Sequence, residues 1–145
     1  MQPFVNSNIK GIQIIPQGGA VTFPLDSEFP QEYYLEGITY NGTDTFTIVT
    51  PGLYSLTCVL SLDTGERDNT FYIELNGYAV AGTANMGTDG QIVLTRVGFV
   101  DAGTNVRIVN GSFHDITIAN ASVNPSSTGH LSLFRFADLG VGEIT

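Results

Sequence analysis

Two histidines, one cysteine and one short acidic run are the first places to look for chemistry in this chain. His114 and His130 stand far apart and form no His-x-His pair. A catalytic metal of the cupin type would need more imidazoles than this. Asp63, Glu66 and Asp68 fall together in "DTGERD", and loop carboxylates are the hard oxygen ligands that a calcium ion takes. Their spacing is not that of an EF-hand. A solvated acidic hairpin tip, partly paired with Arg67, is the plainer reading, and calcium is the one cofactor left open. Cys58 is a lone cysteine, so no internal disulfide can form. No basic residue lies near it in sequence, which suits a small buried hydrophobe better than a nucleophile. His114-Asp115 could orient one another, but no Gly-x-Ser-x-Gly or other nucleophile accompanies them. These residues argue against an enzyme.

Sugar sites commonly use aromatic platforms. The chain has no Trp but six Tyr and nine Phe. Most Phe read as core, which leaves Tyr33, Tyr34, Tyr40, Tyr72 and Tyr78 as ligand candidates, each with plain packing as its alternative. Asn41-Gly42-Thr43, Asn110-Gly111-Ser112 and Asn120-Ala121-Ser122 match the glycosylation triplet. A chain rich in Asn, Ser and Thr produces such triplets by chance.

The elements that must position these residues are short. Only 13% of residues are charged, about half the usual quarter, and Gly is abundant. That composition fits an all-β chain with many turns and much uncharged surface, and uncharged surface is what subunit contacts are made of. The formal net charge of −9 and five scattered bases (Lys10, Arg67, Arg96, Arg107, Arg135) disfavour nucleic acid and anionic membranes as partners. "MQPFVNSNIK" has neither the charged start nor the apolar run of a signal peptide, and no stretch is long enough to span a membrane.

Strand patterns appear at 11–15, 20–23, 45–49, 53–62, 70–75, from Tyr78, at 91–100, 105–110, 115–119 and 129–136, with an irregular stretch at 32–40. The spacing predicts one domain over 1–145 with about ten short antiparallel strands, a two-sheet sandwich or a jelly roll. In 70–75, Phe71, Ile73 and Leu75 read as inside and Tyr72 and Glu74 as outside. Asn76-Gly77 is a hairpin signal, because both central residues of a type I′ turn take positive φ. Thr50-Pro51-Gly52 reads as a turn, with Pro51 unable to donate and Gly52 free to adopt a conformation closed to other residues. Phe46 and Ile48 share one face of 45–49. The alternation of 53–62 is strict. Tyr54, Leu56, Cys58 and Leu60 share one face. Leu53, Ser55, Thr57 and Val59 share the other, which is neither fully apolar nor charged.

"TFTIVTPGLYSLTCVLSL" resembles the part of C1q/TNF-like jelly rolls where a short strand, a turn and Gly-x-Tyr open a long inner strand. "FYIELNGYAV", "GQIVLTRVGFVDAGTNVRIVN" and "STGHLSLFRF" follow in the family's order. The Asn-Gly after the middle strand is most similar to the bacterial branch, which includes the BclA-like heads of collagen-like exosporium glycoproteins. The resemblance covers roughly residues 40–137. No Gly-x-y repeat stands in this chain, and the first 40 residues follow the family only loosely.

The resemblance implies a homotrimer around a threefold axis. Tyr54, Leu56, Cys58 and Leu60 would fill the protomer core, and Leu53, Ser55, Thr57 and Val59 would meet neighbouring subunits. In the last strand Leu131 and Leu133 read as core with His130 and Ser132 toward the axis, and the reverse assignment stays open. Such a protein would be a non-enzymatic head that drives trimerisation and serves adhesion or structural assembly. It would sit extracellularly or at a spore, cell or virion surface, with a collagen-like stalk or a surface glycan as partner. The rival is a trimeric lectin holding carbohydrate in clefts between protomers.

Overall fold

Gly52–Leu62 alternates in space as it does in sequence: Gly52, Tyr54, Leu56, Cys58, Leu60 and Leu62 are buried, and every residue between them is half-exposed. A computed structural model gives this structure; it describes residues 2–23, 32–34, 36–63, 69–85, 90–119 and 127–138. Twelve strands and no helix occur among them, against the ten or so expected. They are β1 (Phe4–Lys10), β2 (Gln13–Ile15), β3 (Glu32–Tyr34), β4 (Ile38–Tyr40), β5 (Phe46–Ile48) and β6 (Gly52–Leu62). They continue with β7 (Asn69–Leu75), β8 (Tyr78–Asn85), β9 (Gly90–Val100), β10 (Asn105–Asn110), β11 (Ile116–Ile118) and β12 (Ser127–Ala137).

All pairings are antiparallel. One sheet of seven strands runs β2-β11-β6-β12-β1-β3, with β9 on the other edge of β6; the second sheet runs β4-β5-β10-β7-β8. The inward faces bury one apolar cluster. Cys58, Leu60, Ile92, Leu131 and Leu133 from the first sheet meet Phe46, Ile48, Phe71, Ile73 and Ile108 from the second. The void bounded by Tyr54, Leu56, Ile73 and Val106 measures about 10 Å³, room for a single water at most.

The Asn76-Gly77 hairpin has positive φ at both residues, 52° and 86°. Asn76 Oδ1 also accepts the Asn105 N–H at 2.8 Å, tying this turn to β10. Other local expectations fail for physical reasons. β1 carries no strand signature, since Asn6, Ser7 and Asn8 interrupt it; it exists because β12 lies along it, from Phe4 opposite Phe134 to Ile9 opposite Gly129. Residues 20–23 form no strand. Ala20 makes an isolated bridge to Val109, while Val21 and Phe23 are buried and donate to the Ile108 and Thr43 carbonyls.

Gly52 is not in the left-handed region. It is glycine because a Cβ there would collide with Arg135 Nε and the Ala137 carbonyl oxygen. The positive φ near this turn belongs to Gly37, at 88°, whose carbonyl accepts from both Val49 and Thr50. Glu74 points away from the inter-sheet core as expected, yet it is buried, because Arg107 donates to its Oε1 through Nε at 2.8 Å and Nη2 at 2.6 Å.

Candidate functional site

The pleat of the seven-stranded sheet sends alternate side chains away from the core, and the register aligns them in rows. One row reads Val97, Ser55, Phe134 and Phe4 across β9, β6, β12 and β1. The next reads Thr95, Thr57, Ser132 and Asn6, and the next Val93, Val59, His130 and Asn8. Above them Phe99 lies opposite Leu53. Below them Gln91 lies opposite Ser61, and Ile14 of β2 lies opposite Thr117 of β11. No Asp, Glu, Lys or Arg occurs at these positions; beyond Asn6 the Thr57 row reaches Glu32 of β3 at the sheet edge, whose side chain lies outside the described residues.

This face is also apolar beyond what solvent favours. Val97 is 68% exposed, Ile14 64% and Val93 49%. Phe134 and Phe136 lie edge to face at 6.4 Å, both still open to solvent, with Phe136 at the β-bulge where β12 shifts register. Exposed apolar side chains gathered on one uncharged sheet face are the kind of surface that interaction sites use. His130 sits within it, half-buried, its Nδ1 3.0 Å from Asn8 Oδ1. An amide oxygen only accepts, so Nδ1 carries the proton in this contact, in the neutral ring and the protonated ring alike. Burial holds the His130 pKa below its ordinary value.

The face assignments can therefore be placed. Leu53, Ser55, Thr57, Val59, His130 and Ser132 all lie on this outer face, half-exposed. Tyr54, Leu56, Cys58, Leu60, Leu131 and Leu133 lie beneath it in the core with Phe46, Ile48, Phe71 and Ile73, and Leu75 packs half-buried against them. The Cys58 thiol is fully enclosed, and burial pushes its pKa up to about 12, which removes it as a nucleophile at neutral pH. Sequence reasoning missed Ile14, Val93, Val97, Phe99, Phe134 and Phe4. They belong to the face only because β2, β9, β12 and β1 flank β6 and its neighbours, and no local pattern carries that.

The tyrosines disperse. Tyr40 is packed, its ring stacked on Phe46 at 4.3 Å and its hydroxyl within reach of the Phe23 and Thr43 carbonyls. It is half-buried and packs against the core cluster. Tyr72 is half-buried, against Gly111, and Tyr78 stands exposed beside the hairpin turn. Tyr33 and Tyr34 lie in β3, but their side chains are outside the described residues, as are Glu66 and Asp68 of the acidic run. Among the described residues no three His, Cys, Asp or Glu side chains converge as a metal site. The ring nitrogen of His114 meets the Asp115 backbone carbonyl at 2.9 Å, and the Asp115 carboxylate accepts the Gln17 N–H at 3.1 Å. Asn110 is buried, its amide donating to the Ile15 carbonyl at 3.0 Å, which leaves it no room for a glycan.

No protein-family model matches the chain, and no curated protein sequence matches it. Solved structures do match in fold. The Eiger TNF of S. frugiperda superposes with a TM-score of 0.67 at 11% identity, covering 98% of this chain and 96% of that one. Rabbit GITRL superposes with a TM-score of 0.60 at 12% identity, covering 94% and 96%. Pika GITRL gives 0.59 at 10% identity over 97% and 100%. The chain is thus an all-β, TNF-like jelly roll of two antiparallel sheets.

Proposed function

We propose that this protein is a non-enzymatic homotrimeric head whose subunits associate through the outer face of the seven-stranded sheet. One observation carries the reading: that face is uncharged across β9, β6 and β12, and it keeps Ile14, Val93, Val97, Phe134 and Phe136 exposed in the single chain. Covering such a face gains hydrophobic free energy without desolvating a charge. Obligate interfaces commonly bury more than about 2,000 Å², which is the scale that the proposed trimer would need from this face. The TNF-like fold of the solved neighbours supports the same direction.

In this proposal the trimer is a rigid unit for adhesion or structural assembly at a spore, cell or virion surface. It is comparable to the BclA-like heads of collagen-like exosporium glycoproteins, with a stalk or a surface glycan as partner. The test is mass in solution by light scattering during size-exclusion chromatography. Three times the 15.5 kDa of one chain supports the proposal, and a monomer overturns it. A second reading, carbohydrate binding, draws on a polar groove over the other sheet. Thr45, Glu74, Asn76, Asn105 and Arg107 line it, over about 470 Å³. Binding on a glycan array that is lost on changing Asn105 would favour it.

A further inference from the structure

The outer face contains one group that changes charge near neutral pH. Across the sheet His130 is flanked by Asn8 of β1 and Val59 of β6, with Val93 of β9 beyond Val59. Along its own strand it is flanked by Thr128 and Ser132. None of these is titratable. Arg96 of β9 and Arg135 of β12 alternate to the opposite face, where Arg96 lines the inter-sheet void and Arg135 Nε donates to the Pro51 carbonyl at 2.9 Å. Tyr54 and Cys58 of β6 also point into the core; Lys10 of β1 and Glu32, Tyr33 and Tyr34 of β3 are the remaining titratable residues of these strands, and their side chains lie outside the described residues. Tyr34 aligns with Phe4 and Glu32 with Asn6, so neither shares the row of His130.

We propose that His130 makes self-association through this face pH-dependent, tight while the imidazole is neutral and weakened by acid. The inference rests on the self-association reading above. A neutral ring fits the face: Nδ1 donates to Asn8, and the residues in register beside His130 are uncharged. An imidazolium covered by a second copy would find no carboxylate among the described side chains of this face, and burying an unpaired charge is costly.

Partial burial in the single chain already lowers the pKa of this ring, and covering by a partner lowers it further in the same direction. The dissociated subunit then takes up a proton that the assembly refuses. Association is at full strength above the pKa of the free subunit and is lost as pH falls below it. One proton per subunit means that the trimer association constant falls by up to about a thousandfold per pH unit in that window.

Light-scattering mass at pH 7.5, 6.5, 5.5 and 5.0 tests this, on the wild type and on His130→Gln, His130→Asn and His114→Gln, with circular dichroism reporting the fold of each. The expected result is a wild-type trimer at pH 7.5 that dissociates into folded subunits toward pH 5.0. Either His130 variant that folds should stay trimeric throughout, and His114→Gln should follow the wild type. A wild-type trimer unchanged from pH 7.5 to 5.0, or folded His130 variants that dissociate along with it, overturns the role of His130 and leaves self-association standing. A wild-type monomer at pH 7.5 removes the self-association reading and this inference together.

Discussion

Thr57 sits in the middle row of the outer face, between Thr95 of β9 and Ser132 of β12, two residues from Ser55 and Val59 on its own strand. Thr57→Arg places a guanidinium there. In a separate chain the new side chain extends into water, so the cost to folding is that of a surface strand substitution, under about 1 kcal/mol. In the proposed trimer the same group is covered, with Thr95, Ser132 and Asn6 as its nearest aligned neighbours and Glu32 only at the far edge of the row. An uncompensated buried charge costs about 3–5 kcal/mol. Three copies per trimer raise this to about 9–15 kcal/mol, or roughly six to eleven orders of magnitude in the association constant, at about 1.4 kcal/mol per tenfold. The variant should therefore run as a folded monomer of 15.5 kDa at micromolar concentration where the wild type runs at three times that mass. Light scattering gives the mass and near-ultraviolet circular dichroism checks that packing survives. A variant with the wild-type trimer mass would refute the assignment of this face.

Two further outcomes follow from the core. The Cys58 thiol, with no exposure and a pKa near 12, should resist alkylation at pH 8 in native buffer and react fully in guanidinium. Rapid native labelling would mean that the strand pairing around β6 is wrong. Gly52→Ala should lower the denaturant midpoint, by about 1–3 kcal/mol in stability, because the added methyl meets Arg135 Nε and the Ala137 carbonyl; an unchanged midpoint would contradict that contact.

Much of the fold is legible in local pattern. The period-two alternation of 53–62 separates Tyr54, Leu56, Cys58 and Leu60 from Leu53, Ser55, Thr57 and Val59, because a pleated strand has two sides and the core admits only one of them. Asn76-Gly77 announces its hairpin, because few residue pairs tolerate two positive φ values in succession. Tyr40 shows the limit of such reasoning. A tyrosine in a polar stretch looks available to a ligand until the chain brings Phe46, Phe23 and Thr43 around it. Glu74 likewise alternates outward, and only Arg107 on a different strand explains why it is buried there.

Local composition and periodicity, then, determined an all-β chain poor in charged residues, the position of the Asn76-Gly77 hairpin and the division of β6 into an inner and an outer side. Tertiary structure decided what the outer side amounts to. β1 is a strand because β12, more than a hundred residues later, offers it an unpaired edge. Ile14, Val97 and Phe134 join Thr57 on one surface because β2, β9 and β12 arrive there in register. The physical reason is that a side chain's direction is set by its own backbone, whereas its neighbours are set by hydrogen bonds between segments that the sequence separates.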